Sequence, residues 1–339
     1  MILLTKKRLS LLIASLCLSG VAHATDVTGA GSSFVYPVIS AWSQDYSKSK
    51  DNRINYQSIG SGGGIAQIKA ATVDFGASDA PMSAEDLQAG GLGQFPSVIG
   101  GIVPIVNVEG VESGELKLDG PTIAKIFMGE IKKWNDPAIT ALNSGVKLPD
   151  TAITVVHRSD GSGTTYNFTN YLSIASPEWN ANLKFSSPVH RPAGVGGQGN
   201  AGRSADVKSI TDTNGYVEYS YATTNKLSYT QLKNAAGKFI KPDAKAFAAA
   251  ADTADWASAK DFNLIMTNAP GEAAWPITAT TWIIMYKKAK NEEKSTAAFD
   301  FFKWSLENGQ KQAEKLEYVA LPKSLVDRVE SYWKTEFTK

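Results

Sequence analysis

Cysteine is almost absent from the chain, which has one, Cys17, among 339 residues. It lies in residues 1–24, where a basic stretch precedes a short apolar run and an A-H-A sequence ending at Ala24. That order is typical of a secretory signal peptide, so we expect cleavage after Ala24. The mature chain then has no thiol, which excludes disulfides and thiolate metal ligands and is consistent with the periplasm.

Long apolar runs are also missing from the leader. Its apolar part, Leu9–Leu18, is shorter than the roughly 20 residues that a bilayer-spanning helix needs. Cys17 follows Leu16 instead of a small residue, so a lipid anchor is not expected. An uncleaved membrane anchor is the alternative interpretation, and the leader favours export of a protein that is not embedded in the membrane.

Neither sign of charge is in large excess. The chain has 34 basic and 33 acidic residues, and loss of three basic residues with the leader leaves 31 against 33, a net charge of −2. This balance argues against a nucleic-acid or membrane-surface partner. An anionic ligand would therefore have to be held by local geometry and not by a general positive field.

Histidine is scarce as well, since the mature chain has only His157 and His190. With no thiol and two imidazoles, no metal site and no cofactor are expected. A serine hydrolase would need G-x-S-x-G, and the nearest match, GASDA at residues 76–80, ends in the wrong residue. A secreted phosphatase-like hydrolase acting on phosphate esters remains the alternative function, whereas the main hypothesis is a protein that is not an enzyme.

Short β-branched runs alternate with helical patterns along the chain, which indicates an α/β fold. Strands are predicted at INYQSIG, TVDFGASD and AITVVHR, and a helix is predicted where Phe34, Val38, Trp42 and Tyr46 recur at a spacing of four. Residues 243–259 are alanine-rich and predicted helical, and two amphipathic helices are predicted near the C-terminus. The apolar runs at 98–107 and 275–286 are either strands that cross between two lobes or ordinary core strands.

Three polar turns precede predicted helices, at residues 29–37, 59–68 and 158–168. Each offers glycines, which allow close backbone approach, and a Ser or Thr at the expected N-cap position. The first turn of a helix has unpaired N–H groups and a partial positive charge, so three such turns would bind a small oxyanion if they converged. Each turn by itself is weak evidence for a ligand, because a Ser at an N-cap is more often ordinary helix capping.

Arg158 and Asp79 each follow a predicted strand, at the strand end where open α/β sheets bind ligands. A guanidinium group matches two oxygens of a tetrahedral anion, and Asp160 is close enough in sequence to orient it. Asp79 would accept the proton of a protonated oxyanion such as phosphate and would repel sulfate, which has no proton to give. The alternatives are a surface ion pair for Arg158 and Asp160, and a turn residue for Asp79.

The order and identity of these motifs resemble the periplasmic phosphate-binding proteins of high-affinity phosphate ABC importers, which are solute-binding proteins. The resemblance covers nearly the whole mature chain. It is carried by TGAGSSFVYPV, NYQSIGSGGGIAQI, TVDFGASDAPMS, FPSVIGGIVPIVN, IFMGEIKKWNDPAI, HRSDGSGTTYNFT, GVGGQGN, GYVEYSYA and WPITATTWI.

The resemblance implies a type II-like periplasmic binding protein, with two α/β lobes joined by two crossover strands and a ligand cleft between them. It places the crossovers near Val106–Asn107 and Trp275–Ile277. Lobe 1 would then comprise residues 25–107 and 277–339, and lobe 2 residues 108–276. The implied partners are inorganic phosphate and the permease and ATPase subunits of an ABC importer, with the binding protein itself a monomer.

The resemblance also implies particular phosphate-binding residues. Asp79 would accept the phosphate proton, Arg158 would be the charged donor, and Asp160 would hold the arginine. Hydroxyl and backbone N–H donors would complete the site, and the full set of implied ligands is Ser33, Phe34, Ser61, Asp79, Arg158, Ser162, Gly163 and Thr164.

A dinucleotide-binding motif is present in form at residues 194–199, where GVGGQG fits G-x-G-x-x-G and Glu218 follows about twenty residues later. The preceding PVHRPA, which contains Pro192, is not the apolar strand that this motif requires. We therefore interpret GVGGQG as a loop that allows close backbone approach.

Overall fold

The structure is a computed structural model that describes residues 25–50, 52–186 and 194–338. The proposed leader and the PVHRPA stretch, with Pro192 and His190, lie outside the described residues. Within these three ranges, no helix combines the length and the apolar character needed to cross a bilayer.

Twelve strands, thirteen α-helices and one short 3-10 helix, Lys260–Phe262, follow one another through the described residues. The strands are β1 Asp26–Gly31, β2 Arg53–Ser58, β3 Phe75–Ser78, β4 Leu92–Asn107, β5 Lys117–Leu118, β6 Thr154–Arg158, β7 Val195–Gly197, β8 Thr213–Glu218, β9 Ser228–Tyr229, β10 Gln231–Lys233, β11 Phe239–Ile240 and β12 Thr278–Tyr286. The helices are α1 Tyr36–Ser49, α2 Ser61–Lys69, α3 Ala84–Gly90, α4 Gly120–Met128, α5 Pro137–Thr140, α6 Gly163–Ala175, α7 Pro177–Asn182, α8 Gly199–Ser209, α9 Tyr219–Thr224, α10 Ala244–Ala251, α11 Glu292–Asn308, α12 Gln310–Lys315 and α13 Lys323–Glu336.

Nine strands form one mixed sheet in the order β2-β1-β3-β12-β4-β8-β6-β7, with β9 also paired to β4. Strands β1, β2 and β3 are mutually parallel on one side, and β6, β7 and β8 are parallel on the other. A second sheet contains β11, β10 and β5. The mixed α/β architecture that the sequence predicts is therefore present.

The long strand β4 joins the two halves of the large sheet. Its first part pairs antiparallel with β12 as far as Gly101, and its second part pairs antiparallel with β8 from Ile102 onward. Because β3 runs in the direction of β4 and β8 runs against it, the carboxyl ends of both parallel groups face the middle of β4. The partner changes between Gly101 and Ile102, and the predicted boundary at residue 107 lies five residues further along.

The predicted helical faces are buried as amphipathic spacing requires. Val38, Trp42 and Tyr46 of α1 are all at most 1% exposed, and Pro37 lies in the first turn, where its missing N–H removes no helical hydrogen bond. The alanine-rich helix is shorter than predicted, because α10 ends at Ala251 and residues 252–259 are mostly turns. Asp252 and Asp255, which are poor helix formers, lie in that segment.

Candidate functional site

The beginnings of helices α1, α2, α6 and α8 meet at the middle of β4. The start of α2 contacts the loop before α6, since the Gly62 amide donates to the Gly161 carbonyl at 2.9 Å. The start of α8 contacts the loop before α1, since the Asn200 amide donates to Ser33 Oγ at 3.0 Å. The three predicted turns therefore converge, and a fourth joins them.

Asp79 follows β3 and is 1% exposed. Its Oδ1 accepts hydrogen bonds from the hydroxyls of Ser32 at 2.5 Å and Thr281 at 2.7 Å. Among the described residues, its Oδ2 has a single, longer contact, with Ser61 Oγ at 3.4 Å. Burial raises the pKa of this carboxyl to about 6, and the three hydroxyls and the Arg158 charge limit the rise.

Arg158 ends β6, and its side chain is 1% exposed. Its Nε donates to Asp160 Oδ1 at 2.6 Å, and Nη2 donates to Asp160 Oδ2. Burial would raise the pKa of Asp160, but the hydrogen bonds and charge of Arg158, with the Gly199 amide, hold it below its ordinary value. Arg158 and Asp160 thus form a buried ion pair with two parallel hydrogen bonds, and not the surface ion pair of the alternative interpretation.

One guanidinium nitrogen remains available for a ligand. Arg158 Nη1 is buried and has no hydrogen-bond partner among the residues that the structure describes. A buried charged donor without an acceptor is costly, so such donors commonly serve ligands.

Gly163 packs against the Asp79 loop. A Cβ at this position would lie 2.5 Å from Ser61 Oγ, 2.7 Å from Asp79 Cβ and 2.8 Å from the Asp79 amide nitrogen. The fold therefore requires glycine here, because no side chain fits. The sequence suggested only a backbone role for this residue, and the structure gives the steric reason.

Side-chain capping was predicted at all three helix starts and occurs at one of them. Ser162 Oγ accepts from the Thr165 amide at 3.0 Å at the start of α6. Val35 and Gly60 are the N-cap residues of α1 and α2, and neither makes a side-chain capping bond. The prediction was therefore wrong for α1 and α2, where the hydroxyls of Ser33 and Ser61 bond other partners.

Asn200 joins Ser33 to Thr164, and Ser32 joins Phe34 to Asp79. The side-chain amide of Asn200 donates to Ser33 Oγ at 3.0 Å and to Thr164 Oγ1 at 3.2 Å. The Phe34 amide donates to Ser32 Oγ at 2.9 Å, and that hydroxyl in turn donates to Asp79. The predicted site residues thus lie in one connected set of contacts.

Sequence reasoning missed four residues of this set: Ser32, Thr281, Gly199 and Asn200. The motif GVGGQGN gave a usable signal for two of them, because it ends in the first residues of α8 and allows close backbone approach. Thr281 gave no local signal, since it lies in an apolar strand that is distant in sequence.

Metal binding receives no support from the part of the chain that the structure describes. Residues 25–50, 52–186 and 194–338 contain no group of three or more His, Cys, Asp or Glu side chains placed to hold an ion. The site offers hydroxyls, amides, the Arg158 guanidinium, the Asp79 carboxylate and the Asp160 carboxylate that is paired with Arg158, and this set is suited to an oxyanion.

Fold and site together define a binding protein with an anion site between two halves of one sheet. The family model of the PBP superfamily domain matches residues 19–308. A phosphate-binding protein from Stenotrophomonas maltophilia has a similar solved structure, with a TM-score of 0.70, 20% identity, and coverage of 91% of this chain and 93% of that one.

Similarity in sequence is closer to two curated relatives. Phosphate-binding protein PstS of Xylella fastidiosa strain 9a5c is 59% identical over 311 residues, which is 92% of this chain and 85% of the relative. Phosphate-binding protein PstS of Pasteurella multocida is 49% identical over 333 residues, which is 98% of this chain and 97% of the relative. The chain therefore belongs to the PstS family of phosphate-binding proteins within the PBP superfamily.

Proposed function

We propose that this protein binds inorganic phosphate between the two halves of its sheet and delivers it to the permease and ATPase subunits of an ABC importer. The names of the relatives from Xylella fastidiosa and Pasteurella multocida support phosphate as the ligand. No covalent step is part of this function.

The observation that carries the proposal is a buried carboxylate in a site otherwise built of hydrogen-bond donors. Asp79 Oδ1 already accepts from two hydroxyls, whereas Oδ2 has one long contact, with Ser61, in the part of the chain that the structure describes. Oδ2 can therefore accept a further proton. Phosphate has a P–OH to donate near neutral pH and sulfate has none, so this geometry favours phosphate.

The other phosphate oxygens require donors, because removing a doubly charged ion from water is costly unless each oxygen is hydrogen-bonded. Arg158 Nη1 supplies a charged donor that has no partner among the described residues. The starts of α1, α2 and α6 supply backbone N–H groups, and Ser33, Ser61 and Thr164 supply hydroxyls. Asp160 fixes the plane of the guanidinium group through two hydrogen bonds.

Closure of two lobes would bring these donors together. The predicted lobes, residues 25–107 with 277–339 and residues 108–276, contact each other through the Gly62–Gly161 and Ser33–Asn200 hydrogen bonds. These contacts support a closed arrangement that a hinge between Gly101 and Ile102 would open. Export to the periplasm by a leader cut after Ala24, and action as a monomer, complete the proposal.

Hydrolysis of phosphate esters, the alternative from the sequence, receives no support. The Ser162 hydroxyl accepts from the Thr165 amide, and the Ser61 hydroxyl contacts Asp79. His157 is the single histidine among the described residues, and its Nδ1 lies 3.0 Å from the Arg158 carbonyl oxygen. The relatives also carry the names of binding proteins.

Calorimetric titration of refolded protein, freed of carried-over ligand, with phosphate and separately with sulfate tests the proposal. We expect heat with phosphate and little with sulfate. Asp79→Asn is expected to retain phosphate binding and to bind sulfate more tightly than wild type does, because the repulsive carboxylate is gone. Absence of heat with phosphate would exclude the function, and unchanged selectivity in Asp79→Asn would exclude the proton-acceptor role. Turnover of p-nitrophenyl phosphate that Ser162→Ala abolishes would favour the hydrolase instead.

A further inference from the structure

Three consecutive carbonyl groups in the turn before α1 each accept a hydrogen bond from a tyrosine. The Tyr56 hydroxyl donates to the Ser32 carbonyl at 2.8 Å. The Tyr221 hydroxyl donates to the Ser33 carbonyl at 2.6 Å, and the Tyr318 hydroxyl donates to the Phe34 carbonyl at 2.6 Å. These three tyrosines come from β2, from α9 and from the segment after α12, so they are brought together only by the fold.

The direction of these carbonyls fixes the direction of the neighbouring amides. In a planar trans peptide, the C=O of one residue and the N–H of the next point to opposite sides. Holding the carbonyls of residues 32, 33 and 34 toward the tyrosines therefore turns the N–H groups of residues 33, 34 and 35 away from them. The Phe34 N–H donates to Ser32 Oγ, and the Ser32 hydroxyl donates a hydrogen bond to Asp79. This N–H therefore lies on the ligand side of the turn.

A hydrogen bond to a carbonyl also strengthens the N–H of the same peptide as a donor, because polarisation along a hydrogen-bonded chain is cooperative. The Tyr221 bond to the Ser33 carbonyl acts on the peptide whose N–H belongs to Phe34. The other two tyrosines act in the same way on the amides of Ser33 and Val35.

The Tyr318 hydroxyl is fixed in turn by Glu218, a carboxyl with no exposed surface. Tyr318 has one hydroxyl proton, and the Phe34 carbonyl can only accept, so this proton lies toward Phe34. The Tyr318 hydroxyl also lies 3.0 Å from Glu218 Oε2, which accepts from the Ser220 hydroxyl as well, so a charged Glu218 would compete with the Phe34 carbonyl for the Tyr318 proton and a neutral one would not. Burial raises the pKa of Glu218 to about 8, which agrees with a neutral carboxyl.

Tyr221 differs from the other two because its hydrogen bond joins the two predicted lobes. Ser33 lies in the first predicted lobe, and Tyr221 lies in α9, directly after β8 of the second. Opening the lobes would separate this pair, whereas Tyr56 and Tyr318 lie in the same predicted lobe as their acceptors.

We infer that Tyr56, Tyr221 and Tyr318 are positioning residues that aim the backbone N–H groups of the Ser33–Val35 turn at the bound anion, and that Tyr221 does so only in the closed state. This inference rests on the proposed function, since the anion is phosphate there.

The test replaces each tyrosine by phenylalanine, which removes one hydroxyl and keeps the ring. Tyr286→Phe is the matched control, because the Tyr286 hydroxyl also donates to a backbone carbonyl at 2.6 Å, that of Ile68, away from the turn. Two quantities are measured with inorganic phosphate: the dissociation constant by calorimetry and the amide ¹H shifts of Phe34 and Val35 by NMR.

We expect each of the three variants to bind phosphate about fivefold more weakly, the effect of one neutral hydrogen bond. The phosphate-induced shifts of the turn amides should shrink in these variants and stay unchanged in Tyr286→Phe. Tyr221→Phe should also release phosphate faster than Tyr56→Phe in stopped-flow measurements.

Wild-type affinity and wild-type amide shifts in all three variants would overturn the inference, even if the variants unfold at lower temperature. Equal release rates for Tyr221→Phe and Tyr56→Phe would overturn the closed-state role of Tyr221. A wild-type protein that gives no heat with phosphate would instead overturn the proposed function. The inference that the backbone N–H groups point at phosphate would then fail as well.

Discussion

Thr281 donates a hydrogen bond to Oδ1 of Asp79 at 2.7 Å, although the two residues are 202 positions apart in the chain. The contact exists because β12 lies beside β3, with Trp282 opposite Ser78 in the register of the two strands. A hydrogen bond to the charged form of a carboxyl favours ionisation. Thr281 therefore helps to keep a buried carboxylate in the form that can accept the phosphate proton.

Replacing Thr281 by valine removes this hydroxyl and keeps the shape of the side chain. We expect the pKa of Asp79 to rise further and the phosphate affinity at pH 6 to fall about fivefold, the effect of one hydrogen bond. Thr280→Val is the matched control, because the Thr280 hydroxyl is buried without a partner among the described residues. Calorimetry at pH 6 and pH 8 checks this, and equal losses in both variants would contradict the assigned role of Thr281.

Asp79 should destabilise the ligand-free fold at neutral pH. Its pKa of about 6 lies above the ordinary value of 3.8, so its contribution to stability is complete below pH 3.8 and is lost as pH rises through 6. We expect Asp79→Asn to raise the free energy of unfolding of ligand-free protein by about 1–3 kcal/mol at pH 7 and by much less at pH 4. Urea denaturation at the two pH values measures this, and an equal gain at both would be inconsistent with titration of Asp79.

Glu218 should govern the pH dependence of stability above the range of Asp79. Its pKa is raised to about 8 from 4.5, so the stability that this group contributes below pH 4.5 is lost as pH rises through 8. Between pH 6 and pH 8 we expect the free energy of unfolding of ligand-free protein to fall by up to about 1.4 kcal/mol per pH unit from this group. Glu218→Gln should flatten the decline, whereas Asp79→Asn should retain it. A decline that persists in Glu218→Gln would assign the effect to another group.

Arg158 should contribute strongly to phosphate affinity. Charge-assisted hydrogen bonds contribute about 1.5–3 kcal/mol, so Arg158→Ala is expected to weaken phosphate binding roughly ten- to a hundredfold. Arg328→Ala is the control, because the Arg328 guanidinium donates to the carbonyls of Trp256 and Ala259 and not to the site. A loss below about threefold in calorimetry would mean that Arg158 is not a ligand.

Gly163 should be needed for close approach of α6 to Asp79. In Gly163→Ala the new methyl group would overlap Ser61 Oγ and the Asp79 backbone, so we expect the two predicted lobes to remain apart. In small-angle scattering, wild-type protein should show a smaller radius of gyration with phosphate, and the variant should not. Gly202→Ala is the control, since its nearest neighbouring atom would be 3.7 Å away. Compaction of Gly163→Ala equal to that of wild type would refute the steric argument.

Local patterns in the sequence predicted several elements correctly, because each depends on neighbouring residues alone. The four-residue spacing predicted the buried face of α1 at Val38, Trp42 and Tyr46, whereas Phe34 is buried but lies before the helix begins at Tyr36. The helix predicted from alanine content was wrong after Ala251, where the alanine-rich pattern continues but the helix ends. The capping prediction failed at α1 and α2, because a serine next to a helix start can bond across the site as easily as to its own helix.

The sequence by itself determined the α/β alternation, the turns that precede α1, α2 and α6, and the hydroxyl and backbone N–H donors that these turns offer. These follow from periodicity, propensity and glycine placement over a few residues. Only the tertiary structure decided that these turns meet and that Thr281 and Asn200 contact them. It also decided that three tyrosine hydroxyls hydrogen-bond to the turn before α1. Those contacts depend on strand order across the sheet, in which β12 lies between β3 and β4 and β8 continues along β4, and no local pattern encodes that order.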